Sequence, residues 1–139
     1  DGDTSPNDTL VLLAAGTSPA PGPTVEQNLT RVSQSLARTI AADGEGATRL
    51  VTVQVRGARD ESEAATVGRV VAPSPLVKTA VAGRDPNWGR ILSAAGRAGV
   101  RFPAERARVW VGPADVYSGG RPHPENEPLA HRHLVDDVE

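Results

Sequence analysis

The sequence predicts a mixed α/β fold, and three features of its pattern support this prediction. Apolar residues recur at helical spacing from Val25 to Ile40, which indicates an amphipathic helix. Valines alternate with other residues over Leu50–Arg56, which indicates a β-strand. Strand-like and helical segments interleave along the chain, as they do in α/β proteins. With 139 residues, the chain is long enough for one domain with a hydrophobic core.

The first part of the chain is predicted to hold a strand, a loop and a long helix. Leu10–Ala15 is a short apolar run, typical of a buried strand, and the proline-rich stretch Gly16–Pro23 indicates a loop. Thr24 is suited to cap the helix that follows, and Gly44 is suited to end it. One stripe of this helix is apolar and comprises Val25, Leu29, Val32, Leu36 and Ile40.

Two shorter helices are predicted after the strand at Leu50–Arg56. Asp60 and Glu63 have the spacing of a capping box, so we expect a helix from there to about Ala72. Ser74–Pro75 combines a favoured N-cap residue with proline at the first helical position, which predicts a helix that Gly83 ends.

The last predicted elements are a helix, a strand and a loop. Asn87 is the expected N-cap of the helix, and Gly96 and Gly99 are expected to close it. Its inner face is predicted to carry Trp88, Ile91, Leu92 and Ala95. Arg108–Val111 has the pattern of a strand, and Gly119–Pro128 is expected to be an exposed loop.

The composition excludes several classes of function. A formal net charge of −2 and a pI near 5.9 give no attraction to nucleic acid or to an anionic membrane. No apolar run approaches the roughly 18 residues that span a bilayer. Cysteine is absent, which excludes disulfides and cysteine-ligated metals and is compatible with the cytoplasm. Lys78 is the single lysine beside fourteen arginines.

Common catalytic and metal motifs are missing. The sequence has no dinucleotide-binding glycine motif, no P-loop and no zinc-protease motif. His123, His131 and His133 lie in a polar tail, and the pair at 131 and 133 lacks a third clustered ligand, so a solvated tail is favoured over a metal site. No Ser-His-Asp set can be argued from spacing.

Two stretches have both a structural and a functional interpretation. In ADGEGATRL, Glu45 lies between two glycines, either as a solvated acid behind a helix cap or as a carboxylate within reach of a ligand. The stretch SPLVKTAVAGRDPNWGRILSAAGRAGV also has two interpretations. In the structural one, Asn87 caps a helix and Trp88 packs in the core; in the functional one, the N-terminus of this helix faces a ligand carboxylate. The residues alone favour the structural interpretation of both stretches.

Three blocks of sequence resemble one enzyme family. DGDTSPNDTLVLLAAG, DGEGATRLVTVQVRGA and SPLVKTAVAGRDPNWGRILSAAGRAGV together look like the second chain of the ornithine acetyltransferases, also called glutamate N-acetyltransferases. The blocks occur in the order and spacing of the family over residues 1–112, which we take as the β-chain core. Residues 113–139 match weakly and are expected to be a partly exposed loop.

The resemblance implies an N-terminal-nucleophile-like α/β sandwich of the DmpA/ornithine acetyltransferase type. In this family a precursor cleaves itself into α and β chains, and the threonine at the new β-chain N-terminus carries the acetyl group from N-acetylornithine to glutamate. The reaction is ping-pong and needs neither metal nor coenzyme. The chains form an α2β2 or larger assembly, which implies an α-chain partner and a cytoplasmic location.

The sequence departs from the family pattern at its start. It begins with Asp1, and Thr4 and Thr9 belong to a block that follows the family's nucleophile by several tens of residues. The nucleophilic threonine is therefore expected upstream, and the residues of the oxyanion hole are expected in the α chain. On this basis residues 1–139 are expected to be an internal part of the β chain, with no catalytic residue and no activity alone.

Residue by residue, the resemblance identifies one substrate-binding candidate. The acid of the DGEGAT block is Glu45, whose carboxylate would meet a substrate ammonium. Asn87 is a weaker candidate for the wall of the site, and Lys78 is weaker still.

Two other classes of function stay open at this point. The chain could belong to an N-terminal-nucleophile aminopeptidase or amidohydrolase, or it could be a non-catalytic interaction domain. The sequence also does not separate the arginine pathway from a related antibiotic pathway.

Overall fold

The computed structural model describes residues 5–17 and 22–136, which fall into two compact units, residues 5–50 and residues 51–136. Asp1 and Thr4, named above in relation to the nucleophile, lie outside the described residues. Residues 18–21, in the middle of the first predicted loop, also lie outside them.

The first unit contains one long helix. Helix α1 spans Gly22–Ala42 and so begins two residues before the predicted cap at Thr24. The predicted stripe is present on α1, but its side chains are 39–73% exposed. Leu10–Leu13 is also exposed, and the predicted buried strand there is wrong for the described residues. A strand needs a neighbouring strand to complete its backbone hydrogen bonds, and among the described residues none pairs with this segment.

The second unit begins with three helices in the predicted places. Helix α2 spans Glu61–Val71, α3 spans Pro75–Ala82 and α4 spans Trp88–Gly96. The cap of α2 is confirmed, because the backbone N–H of Glu63 donates to Oδ1 of Asp60 at 2.8 Å. The backbone N–H of Arg59 donates to the Glu63 carboxylate at 2.7 Å. In a capping box this carboxylate would accept from the N–H of the cap residue, here Asp60, which is the next residue in the chain.

The start and the end of α3 follow the prediction with one difference. Pro75 occupies the first helical position, where its missing N–H is not needed. Ser74 is buried but makes no side-chain cap bond, so proline rather than the serine hydroxyl marks this start. Gly83 is the C-cap residue.

An antiparallel sheet of three short strands follows. Strand β1 spans Val109–Val111, β2 spans Ala114–Ser118 and β3 spans Arg121–Pro122, in the order β1-β2-β3. Strand β1 confirms the strand predicted at Arg108–Val111. Helix α5, Glu127–Asp136, packs on β1 and β2.

The loop predicted over Gly119–Pro128 is wrong, although its side chains are mostly exposed as expected. Gly119 and Gly120 have φ of +59° and +76° and form the tight turn between β2 and β3. Such two-residue turns favour glycine because both central residues need positive φ. A short 3-10 turn, Pro124–Asn126, then leads into α5.

Two hydrophobic clusters form the core of the second unit, and the predicted inner face of α4 contacts both. One cluster lies at the sheet and comprises Val109, Ala114, Val116, Tyr117 and Ala130, with Trp88, Ile91 and Leu92 packed against it. The other lies among the helices and comprises Val71, Val77 and Ala94, with Ile91 and Ala95 against it. Ile91 joins the two.

The strand predicted at Leu50–Arg56 is not formed as a strand in the described residues. The alternation it predicted is partly present, because Val53 and Val55 are half-buried while Thr52, Gln54 and Arg56 are exposed. Val53 packs against the helical cluster. The pattern therefore identified the inward face but not the backbone pairing.

Candidate substrate-binding site

Glu45 lies at the tip of a tight turn that follows α1. The backbone N–H of Ala47 donates to the carbonyl of Gly44 at 2.9 Å, which closes the turn around Glu45 and Gly46. Gly46 has φ of +69°, as the third residue of a type II turn requires. Glycine is therefore needed at 46, whereas Gly44 does not adopt positive φ.

The Glu45 carboxylate lies at the negative end of a helix. Its side chain is exposed, and within residues 5–17 and 22–136 it forms no hydrogen bond or ion pair. The turn follows the C-terminal end of α1, where the helix dipole is negative and no basic residue occupies the last turn. Asp43 adds a second carboxylate there. Acids at a helix C-terminus oppose helix stability, and together they make the electrostatic potential at this helix end negative.

Asn87 is fully engaged in holding the turn between α3 and α4. Its Oδ1 accepts a hydrogen bond from the backbone N–H of Arg90 at 3.1 Å, which confirms the predicted cap. Its Nδ2 donates to Oδ2 of Asp85 at 2.9 Å. Both ends of the amide therefore have partners, so any contribution of Asn87 to a site wall acts through the shape of this turn.

Arg90 is a residue of the same block that sequence reasoning missed. Its Nη1 donates to the carbonyl of Leu76 and to Oγ1 of Thr79, both at 3.1 Å, and so ties α4 to α3. The two partners lie 14 and 11 residues from Arg90 in the sequence, so no local spacing rule predicts these hydrogen bonds. Lys78, on the same helix α3, is exposed.

Trp88 occupies the packing position that its helical spacing predicted. Its ring stacks on that of Tyr117, with centroids 4.5 Å apart and an angle of 17° between the planes. The side chain is half-buried against the sheet cluster. These contacts support the structural interpretation of Trp88.

The three histidines do not form a solvated tail, and that expectation is wrong. His123 has a side chain only 15% exposed. His131 donates from Nδ1 to the carbonyl of Arg84 at 2.8 Å, and the His133 ring lies against Gly112. Helix α5 holds both of these histidines in place, because Ala130 on it is buried against the sheet.

The two predicted site residues fall in different units. Glu45 belongs to the first unit and Asn87 to the second. Among the described residues, no three side chains of the metal-ligating types cluster as a metal ion would need. None of the helices in the described residues has the length and apolar character needed to cross a membrane.

Comparison with known proteins gives a consistent assignment. A model of the ArgJ family matches residues 1–139. The arginine biosynthesis bifunctional protein ArgJ of Parasynechococcus marenigrum (strain WH8102) is 53% identical over 124 residues, which are 88% of this chain and 30% of that relative. The protein of the same name from Aquifex aeolicus (strain VF5) is 46% identical and covers 100% of this chain and 36% of the relative. The chain thus spans about a third of the length of these curated relatives.

A solved structure agrees with the sequence comparison. The crystal structure of arginine biosynthesis bifunctional protein argJ from Bacillus halodurans matches with a TM-score of 0.88 and 37% identity, over 98% of this chain and 68% of that one. The α/β fold of the ornithine acetyltransferase type, implied by the three sequence blocks, is therefore confirmed.

Proposed function

We propose, from the premise that this chain belongs to the ArgJ family, that it forms part of an enzyme that transfers an acetyl group in arginine biosynthesis. The acetyl group moves from N-acetylornithine to glutamate through an acetyl-threonine. The threonine lies outside residues 1–139, and an α chain of the same precursor completes the site. The match over all 139 residues supports this proposal, and the relatives' own name places them in arginine biosynthesis.

The chemistry assigned to this enzyme needs three groups. A hydroxyl nucleophile needs a base, which the free α-amine of an N-terminal threonine can supply. The tetrahedral intermediate needs an oxyanion hole, here expected in the α chain. The amino-acid substrate needs a group that fixes its position, and this is the role we assign to residues 1–139.

One observation carries the assignment of Glu45 to that role. Its carboxylate is exposed on a glycine turn at the negative end of a 21-residue helix, and it has no partner in the part of the chain that the structure describes. An ammonium group of N-acetylornithine is a suitable ligand, because the side-chain amine of ornithine is cationic while its α-amine is acetylated. Asn87 is proposed as a wall residue that holds the α3–α4 turn rather than as a substrate ligand. The enzyme is proposed to act in the cytoplasm as an α2β2 or larger assembly.

The test of this role uses Glu45→Gln in the full-length enzyme, because glutamine keeps the shape and removes the charge. A charge-assisted hydrogen bond typically gives about a ten- to hundredfold change in affinity. We expect kcat/KM for N-acetylornithine to fall by that factor, with a smaller change for glutamate, whose side chain carries no cation.

Asp43→Asn is the matched control, since it removes a carboxylate from the same helix end two residues away. We expect Asp43→Asn to change kcat/KM by less than about threefold, as through-solvent charge effects are weak and screened by salt. Wild-type kinetics of Glu45→Gln with both substrates would remove Glu45 from the site. Equal losses with both substrates would instead indicate that Glu45 binds the shared α-amino region or acts in the transition state.

Product analysis separates acetyl transfer from the alternative, an N-terminal-nucleophile amidohydrolase. With N-acetylornithine and glutamate together, we expect N-acetylglutamate to form in step with ornithine. Release of free acetate in its place would support the amidohydrolase.

A further inference from the structure

A serine, a histidine and a glutamate form a hydrogen-bonded chain on the β2–β3 hairpin. Oγ of Ser118 lies 2.9 Å from Nε2 of His123, and Nδ1 of the same ring lies 3.3 Å from Oε1 of Glu125. Ser118 ends β2, and the backbone N–H of His123 donates to the carbonyl of Val116 at 3.0 Å. The extended hairpin thus places Ser118 and His123 as diagonal neighbours on one face.

The electrostatics favour an imidazole that accepts a proton from the serine. The backbone amide of Glu125 itself holds the pKa of that carboxyl below its ordinary value, and the hydrogen bond to His123 and the charge of Arg121 act in the same direction. Glu125 is therefore ionised near neutral pH and accepts the proton-bearing Nδ1. This tautomer leaves the Nε2 lone pair directed to the Ser118 hydroxyl, which donates to it.

Two backbone amides adjoin the serine. Gly119 and Gly120 follow it in left-handed conformations, and in the described part of the chain neither amide donates to a protein acceptor. Ser118 is itself half-buried, and the His123 ring is 15% exposed. A partly desolvated base beside a hydroxyl, with free N–H groups next to it in the chain, is an arrangement that can stabilise a developing oxyanion.

We propose that Ser118 is a second nucleophile, reactive toward activated acyl and phosphonyl compounds and separate from the acetyl transfer proposed above. Its Oγ forms the new bond to the acyl carbon as the bond to the leaving group breaks. The hydroxyl proton passes to Nε2 of His123 and from there to the leaving group. Water then releases the acid and restores the serine by the same proton path in reverse.

The experiment is labelling of the full-length protein with a fluorophosphonate probe, followed by peptide mapping by mass spectrometry. The reaction forms a bond from Oγ to phosphorus and releases fluoride. We expect an adduct on Ser118 and none on the exposed serines Ser62 and Ser93, which serve as internal controls. Labelling of Ser118 at the same rate as the control serines would overturn the proposal.

Two variants distinguish an activated serine from a hairpin brace. A general base typically contributes about 10²–10⁴ in rate, so His123→Gln should slow labelling of Ser118 at least a hundredfold. Glu125→Gln, which keeps a hydrogen-bond acceptor but loses the charge, should slow it less. Circular dichroism and acetyl transfer activity report whether each variant is folded. Folded variants that label at the wild-type rate would show that the cluster only braces the turn.

Discussion

Replacing Trp88 by alanine is expected to destabilise the protein strongly. The substitution removes the ring that stacks 4.5 Å from Tyr117 and leaves a cavity beside the sheet cluster. Removal of a buried tryptophan costs about 3–5 kcal/mol, and the lower end applies because Trp88 is half-buried. Of these roughly 3 kcal/mol, about 0.5–1.5 kcal/mol is the aromatic pair itself.

Equilibrium urea unfolding of the full-length protein measures this loss. With a urea dependence of about 1–3 kcal/mol per molar, the midpoint should fall by roughly 1–3 M. Trp88→Phe keeps a ring against Tyr117 and should lose less than half as much.

Trp110→Ala is the matched control, because Trp110 is 51% exposed on β1. It should cost less than about 1 kcal/mol, since it leaves a smaller unfilled volume. Equal losses for the two tryptophans would refute the packing argument. A Trp88→Ala protein with an unchanged midpoint but weakened N-acetylornithine binding would make Trp88 a wall of the substrate site instead.

Three further changes test the local structure, each by urea unfolding of the full-length protein. Asn87→Ala should cost about 1 kcal/mol through the lost helix cap, and Asn87→Asp should restore most of it; equal stabilities would deny the cap. Gly112→Ala should cost more than Gly119→Ala, because both glycines have positive φ but only at Gly112 would a Cβ collide with His133; the reverse order would contradict this contact. The backbone amide of Glu63 and the side chain of Arg59 hold the pKa of Asp60 below its ordinary value. The ionised Asp60 carboxylate therefore adds to the free energy of unfolding above about pH 4, and this contribution is lost as the pH falls through the folded-state pKa. In Asp60→Asn the free energy of unfolding should therefore fall less as the pH is lowered. An unchanged pH dependence would show that Asp60 does not contribute to the loss of stability in acid.

Sequence reasoning located the helices of the second unit well, because their signals are local. Asp60 and Asn87 make their capping bonds to amides three residues away, and Pro75 needs no partner at all. The inner face of α4 was also predicted, since the 3.6-residue period fixes which side chains share a side.

Features that depend on pairing between distant residues were not predicted. The apolar runs at Leu10–Ala15 and Leu50–Arg56 are predicted to be strands but do not form them in the described residues. An apolar pattern shows which face of a segment is buried, and it does not show which neighbouring strand would complete its backbone hydrogen bonds. The sequence predicts a loop at the Gly119–Gly120 turn because its flanks lack clear alternation. The pairing of residues across the turn defines β2 and β3. The hydrogen-bonded chain of Ser118, His123 and Glu125 is not predicted for the same reason, because the hairpin brings Ser118 and His123 together.

Several acidic side chains of this chain accept hydrogen bonds from nearby groups, and Glu45 differs from them in this respect. Asp60 and Glu63 bind backbone amides at the start of α2, where negative charge also suits the helix dipole. Asp85 binds Asn87 within a turn. Within residues 5–17 and 22–136 Glu45 makes no such contact, and it follows a helix C-terminus, where its charge is unfavourable for α1. Asp43 lies at the same helix end with an equally unfavourable charge, so the dipole alone does not single out Glu45. We predict that a ligand cation offsets the cost at Glu45 and not at Asp43, which is why the two variants Glu45→Gln and Asp43→Asn are compared.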